Sequence, residues 1–304
     1  MPPPERDGIR FEVPVLRGWL LIEHPGPWSS SVERTVPGLP ARVRSAAAEH
    51  GLRINLIRRY GSRRTETGRC FVSSFAGGVP LIEEVHREQL TGRLPSIAAA
   101  LTAGRPSGLG TPLTGPIFLV CTNAQRNAAC GSSGTAVARA ATATAGGHAW
   151  ETTHVGGCRF AANLVWLPAG VYYRGLAVAE LPALVEAADR GRIVLPRYRG
   201  RAGLPPDAQA AEWAVRRVTG LDAVESVRVA GIGPADASGH RLVEVLTTRG
   251  TYRVTVHPRG QSGLRYEAVG VTGPGQHEDR PGTDRGSTPE HGPCPIIRAA
   301  SERR

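Results

Sequence analysis

Ile117-Phe118-Leu119-Val120-Cys121-Thr122-Asn123-Ala124-Gln125-Arg126-Asn127-Ala128-Ala129-Cys130 is the stretch on which the reading of the fold turns. Its first four residues form a short unbroken apolar run, the pattern of a strand covered on both faces. Polar residues follow at once, so Cys121 stands at the strand's end and 122–130 reads as a loop. After Gly131-Ser132-Ser133-Gly134, the Ala-rich stretch 135–145 predicts a helix. Further along, 149–153 reads as a strand. Segments 163–167 and 171–178 read as a hairpin around Pro168-Ala169-Gly170, and 180–190 as a helix.

The same order of elements lies upstream. Gly18-Trp19-Leu20-Leu21-Ile22-Glu23 is a short apolar strand ending in the turn His24-Pro25-Gly26-Pro27. Segment 40–50 is helical, opened by Pro40 and closed by Gly51. Segment 52–56 alternates apolar and polar, the strand period. Segments 70–75 and 79–84 read as a hairpin around Ala76-Gly77-Gly78, and 95–102 as a short helix. Two copies of one α/β layout, strand, loop, helix, strand, hairpin, helix, are therefore expected. The layout is thioredoxin-like, and the first copy, at 15–103, lacks clustered cysteines. Gly- and Pro-rich 104–116 reads as a linker to the second copy at 117–200.

Downstream, 208–218 is amphipathic and helical, while 226–229, 242–246 and 252–256 are strand-like. A small α+β module is expected over 201–270. The stretch 271–304 is Pro, Gly and charge, with little that could form a core, and reads as a flexible tail.

Length and composition bound the rest. At about 150 residues per domain, 304 residues predict about two domains. A chain of this size buries enough surface to need no disulfide staples. With 40% hydrophobic and 21% charged residues, it is an ordinary globular composition. No apolar run approaches the ~18 residues of a membrane span. The opening Met1-Pro2-Pro3-Pro4-Glu5-Arg6-Asp7 lacks the apolar core of a secretory signal, so a cytoplasmic location is expected. The net charge is +11, and all 37 cations are Arg. They are spread along the chain, with dense groups only at Arg58, Arg59, Arg63 and Arg64 and at Arg197, Arg199 and Arg201. That spread favours a solvated surface or an acidic protein partner over nucleic acid.

Five cysteines are present: Cys70, Cys121, Cys130, Cys158 and Cys294. An odd number in a reducing compartment argues against a disulfide framework. Three of them fall within 38 residues, with His148 and His154 among them. In Thr153-His154-Val155-Gly156-Gly157-Cys158, the glycines permit a tight turn that aims His154 and Cys158 at one point. A two-iron cluster needs four ligands, usually thiolates, some replaceable by imidazole. Cys121, Cys130, His154 and Cys158 meet that count. Zinc is the competing metal, although its cysteine pairs are usually closer than the eight residues between Cys121 and Cys130. Three unrelated buried thiols are the third reading. His148 is a reserve ligand. Cys70 and Cys294 have no partner by spacing.

At these residues the chain resembles the sucrase/ferredoxin-like family. The resemblance is carried by Cys-Thr-x-x-x-Arg-x-x-x-Cys at 121–130, Trp-Glu-x-x-His-x-Gly-Gly at 150–157, Arg-Phe-Ala-Ala-Asn at 159–163 and Pro-x-Gly-x-Tyr-Tyr at 168–173. Upstream, Trp19-Leu20-Leu21-Ile22-Glu23-His24-Pro25-Gly26-Pro27-Trp28 matches, and Arg199-Gly200-Arg201 before Gln209-Ala210-Ala211-Glu212 matches farther along. The resemblance spans about 15–215 and implies a thioredoxin-like ferredoxin domain holding a [2Fe-2S] cluster, with a redox protein as partner. Cys158 stands where a second His is common in the family, Asn123 replaces a His, and Ala129 precedes a single Cys130. Cysteine at 158 retains ligation. A set of three thiolates and one imidazole leaves more negative charge on the cluster, so its potential is expected below the Rieske range of about −150 to +300 mV and above the plant-type value of about −400 mV. Arg126 and Arg159 flank the ligand pairs and would raise that potential or dock an acidic partner.

Two other readings follow from the same residues. One is a binding module whose thioredoxin-like site holds zinc or nothing. The other is a sugar hydrolase, which needs paired carboxylates that no local motif marks. There is no Cys-x-x-Cys, phosphate-binding Gly-rich loop with Lys, nucleophile elbow or His-Glu-x-x-His. Glu23 and His24, beside Trp28, either shape a second pocket or cap a strand end.

Overall fold

In the computed structural model, residues 13–36, 39–62, 68–76, 79–258 and 266–274 are described. Arg63, Arg64, the Gly77-Gly78 hairpin tip and 275–304 with Cys294 lie outside them. The apolar runs form strands as their patterns require, and the chain is a mixed α/β protein. The first segment holds β1 (Gly18–Glu23), α1 (Val32–Thr35), α2 (Ala41–Glu49), β2 (Leu52–Arg58), β3 (Arg69–Ser74), β4 (Leu81–His86) and α3 (Arg87–Thr102). The second holds β5 (Thr111–Pro112), β6 (Ile117–Cys121), α4 (Ala128–Ala145), β7 (Ala149–Thr152), β8 (Leu164–Leu167), β9 (Val171–Tyr173), α5 (Leu181–Asp189) and β10 (Tyr198–Arg201).

All ten strands join one sheet, in the order β10-β9-β8-β6-β7-β2-β1-β3-β4-β5. Within it, β1 runs parallel to β2 and antiparallel to β3, and β3 pairs antiparallel with β4. The second segment repeats this: β6 runs parallel to β7 and antiparallel to β8, and β8 pairs antiparallel with β9. The two segments thus share strand order and direction. They meet where β2 pairs antiparallel with β7, Ile57 opposite Thr152 and Arg58 opposite Glu151. Glu23, Ile57, Thr152 and Cys121 lie in one row across this seam. The C-terminal ends of the four leading strands therefore converge in the middle of the sheet. A buried ion pair between Arg58 and Glu151, 2.8 Å, closes the seam.

Alternation along the strands sorts the core into two faces. On one, Leu20, Ile22, Leu56 and Val72 pack under α2 and α3, and Phe118, Val120, Leu164 and Trp166 under α4 and α5. On the other, Trp19, Phe71, Trp150 and Tyr172 form an aromatic layer common to both segments. The rings of Trp19 on β1 and Tyr172 on β9 approach to 6.0 Å although four strands separate them, so the sheet curls around this layer.

Several elements differ from expectation. Helix α3 begins at Arg87 rather than 95. Pro95 reads as a start, but Leu90, Leu94, Ile97, Ala98 and Leu101 continue one buried stripe through it. Segment 104–116 is tied to the sheet, since β5 pairs with β4 and Ser107 binds the buried Glu83 carboxylate. Helix α4 begins at Ala128, capped by the Asn127 side chain, which accepts from the Ala129 N–H at 2.9 Å. Cys130 is therefore in the helix's first turn, not in a loop. The stretch 131–134, read as a break, is helical because Gly134 lets the helix approach β6. A Cβ there would sit 2.1 Å from the carbonyl oxygen of Cys121. Gly134→Ala is expected to lower stability by about 1–3 kcal/mol, seen as a lower urea midpoint at unchanged slope. Gly92→Ala in α3, with nothing near its Cβ position, is expected to raise it by about 0.5–1 kcal/mol.

Beyond the large sheet, α6 (Pro206–Thr219) packs against a four-stranded antiparallel sheet, β11 (Val227–Ala235), β12 (Arg241–Thr247), β13 (Gly250–Pro258) and β14 (Tyr266–Thr272). Strand β14 has no counterpart in the sequence reading and runs into the stretch read as tail. No helix among the described residues is long and apolar enough to cross a membrane.

Candidate metal centre

Cys121 ends β6, its N–H bonded to the Asn163 carbonyl at 3.1 Å. The Cys130 side chain reaches it from the first turn of α4. Both thiols are buried. The second pair comes from the turn after β7. There the backbone leaves the sheet along β2: the Thr153 N–H donates to the Leu56 carbonyl at 3.0 Å, and the Leu56 N–H to the Thr153 hydroxyl at 3.0 Å. Buried Asn55 donates to the carbonyls of Thr153 and His154 at 3.2 and 3.3 Å, and Arg53 donates to the same His154 carbonyl. Gly156 and Gly157 have φ of +98° and +69°, a conformation suited to glycine. They reverse the chain so that Cys158, opening a short 3-10 turn, faces back. Cys158 Sγ lies 3.1 Å from His154 Nδ1.

The four side chains named from the sequence come together. The Cys121 sulfur takes hydrogen bonds from the Cys130 thiol, His154 and the backbone N–H groups of Asn123 and Val155. The bond from Cys130 acts most strongly. Against the opposing effect of burial, these contacts hold the Cys121 thiol well below its usual value. Cys130 is pushed far up by its bond to Cys121, then by burial and by the charges of Cys121 and Cys158. One thiolate at Cys121, braced by donors, and one neutral thiol at Cys130 is the resulting pattern. Among the described residues, no three His, Cys, Asp or Glu side chains form a ready site for a single ion. The donors instead contact one another in series, Cys130 to Cys121 to His154 to Cys158, with Cys158 also against Cys130.

The other candidates lie elsewhere. His148 is exposed at the start of β7, bonded to the Pro116 carbonyl at 2.9 Å. Cys70 is buried in β3, its thiol pushed up to about 11 by burial. Glu23 is buried and accepts from the Arg69 N–H at 3.2 Å. The Trp28 indole donates to the His24 carbonyl at 3.0 Å. Arg126 and Arg159 are both exposed.

Sequence reading missed three supports. Asn55 reads as an outward strand position but is 1% exposed. Asn163 donates to the Gly157 carbonyl at 2.9 Å. Arg199 is 2% exposed and donates to the Gly156 carbonyl at 3.2 Å, its guanidinium filling the space that a Cβ on Gly157 would need. The glycine pair and the arginine are thus one unit, which accounts for the Arg199-Gly200-Arg201 motif beside the His-x-Gly-Gly turn.

A family profile described as sucrase/ferredoxin-like matches residues 12–200. The chain belongs to the sucrase/ferredoxin-like family. Searches of curated proteins and of solved structures each found no match. The span shared with the sucrase/ferredoxin-like family takes in both segments of the large sheet, with all four converging donors and the Asn55, Asn163 and Arg199 supports. It ends before α6.

Proposed function

We propose that this chain is a redox protein whose 117–200 segment is a thioredoxin-like ferredoxin domain, with 15–103 a degenerate copy of it. In this reading a [2Fe-2S] cluster is held by Cys121, Cys130, His154 and Cys158. The observation that carries it is the meeting of these four donors from two separate turns, a set of soft and borderline ligands of the right number. Such a cluster supplies a one-electron step.

The chain's own groups prepare the site. Burial of Cys121 and Cys130 excludes water on the sheet side, while Cys158 and His154 are half-buried and face outward. The N–H groups of Asn123 and Val155 neutralise charge on the Cys121 sulfur, which favours the reduced state. Arg159, Arg174 and Arg199 gather around the Phe160 ring at 4.6, 5.2 and 5.6 Å. A cationic rim beside the half-exposed ligands suits an acidic redox protein as partner.

Purification without oxygen, with iron, sulfide and zinc analysis, tests the reading. About two irons and two sulfides per chain, with visible colour, are expected. Stoichiometric zinc in a colourless protein would move the assignment to a non-redox binding module, which the direct contact of the donors also supports. Sugar hydrolysis has less support. Of two clefts, one of about 640 Å³ has no carboxylate in its lining and one of about 660 Å³ has Glu225 alone, where paired carboxylates are needed.

A further inference from the structure

The cleft of about 640 Å³ is built by both segments of the sheet. One wall is Pro25, Gly26, Pro27 and Trp28 after β1; the other is 122–125 after β6 and the first turns of α4. Asn123 Nδ2 donates to the Ser29 carbonyl at 3.0 Å and ties the two loops together.

Arg58 is the one charged residue in the lining, and it is held in place. Its Nε donates to Glu151 at 2.8 Å, its Nη1 to the Pro25 carbonyl at 3.3 Å, and its guanidinium stacks on Trp28 at 3.9 Å. Gly26, at φ +100°, makes room for it, since a Cβ would lie 2.5 Å from Nη1. The N-terminal end of the 18-residue α4 adds positive dipole on the opposite side. A second, independent feature is polar. Thr122 and Asn123 line the cleft and are 5% and 3% exposed, yet the Thr122 hydroxyl and the Asn123 side-chain carbonyl have no hydrogen-bond partner among the described residues. Buried polar groups in native proteins are normally satisfied, by protein, water or ligand.

We infer that this cleft binds a small hydroxylated anion, an organic phosphate or a hydroxycarboxylate. Arg58 and the α4 terminus attract the charge. The Asn123 carbonyl accepts from the ligand's hydroxyl, and the Thr122 hydroxyl completes the set. Thr122 follows Cys121 directly, so the ligand lies beside the candidate metal centre without depending on it.

The test uses the full chain, with iron and sulfide determined in the same sample, so that an empty metal centre and an empty cleft are separate results. Glycerol 3-phosphate, malate and sulfate are titrated by calorimetry, with Trp28 fluorescence as a second readout. Saturable one-to-one binding of glycerol 3-phosphate or of malate, tighter than sulfate, is expected, and the better of the two identifies the anion. Ala128→Glu places a negative charge at an exposed first-turn position of α4, where acidic residues suit the helix. It is expected to weaken binding at least about tenfold, and the uncharged Ala128→Gln by less than about threefold. No saturable binding, equal binding of sulfate, or equal effects of the two variants would overturn the inference.

Discussion

Cys121→Ser is expected to leave the chain, purified without oxygen, with about a tenth or less of the parent's iron and sulfide. Cys121 is the donor with most contacts in the site: it bonds to Cys130, to His154 and to two backbone N–H groups. Serine there removes the thiolate and leaves those donors facing a weaker acceptor. Cys70→Ser is the matched control. That thiol is equally buried, sits in β3 and is pushed up to about 11, so its loss costs stability but no iron. Cys158→His separates ligation from charge. It restores the residue common at this place in the family, so iron is retained while the potential rises toward the Rieske range of about −150 to +300 mV, as one thiolate gives way to imidazole. Equal iron in the parent and Cys121→Ser chains would end the cluster assignment, and loss of zinc in place of iron would support the binding module.

Glu212→Gln is expected to cost about 3–5 kcal/mol, because it leaves two guanidiniums with no anion in a buried network. Glu212 is fully buried and meets Arg216 at 2.9 Å, Arg201 at 3.1 Å and the Tyr198 hydroxyl at 3.0 Å. Arg216 also donates to the carbonyls of Leu221, Ala223 and Val224. The drop in melting temperature is roughly 6–20 °C at 2–4 °C per kcal/mol. Burial pushes the Glu212 carboxyl up, but Arg201, Arg216 and the hydrogen bonds from Arg216 and Tyr198 outweigh it and hold the carboxyl below its ordinary 4.5. Its folded pKa is depressed, so its stabilisation is complete above that ordinary value and is lost as pH falls through the folded one. The gap between parent and variant is therefore widest at neutral pH and narrows in acid. Urea titrations at several pH values check it; a gap independent of pH would show that Glu212 acts by shape alone.

The large sheet was legible where apolar runs were short and bounded by turns, as at 18–23 and 117–121, because burial on both faces leaves that pattern in the chain. The repeat of strand order was legible for the same reason. Helix starts were less so. Pro95 and Gly131 to Gly134 carry local signals against a helix interior, but packing overrode them: a buried stripe across Pro95, and a close approach of Gly134 to β6 that local pattern does not encode. The four donors were legible because thiols and imidazole are rare and were clustered. Asn55 and Arg199 were not, because each acts on the backbone of a turn remote in sequence. Only the pairing of β2 with β7, and of β10 with β9, places them there.

The seam between β2 and β7 means that ligand content is a poor guide to where this protein can be cut. A fragment beginning at Ile117 would keep every donor atom and discard the amide and guanidinium that shape the turn presenting two of them. The cysteine-poor half is in effect the jig in which the cysteine-rich half is assembled.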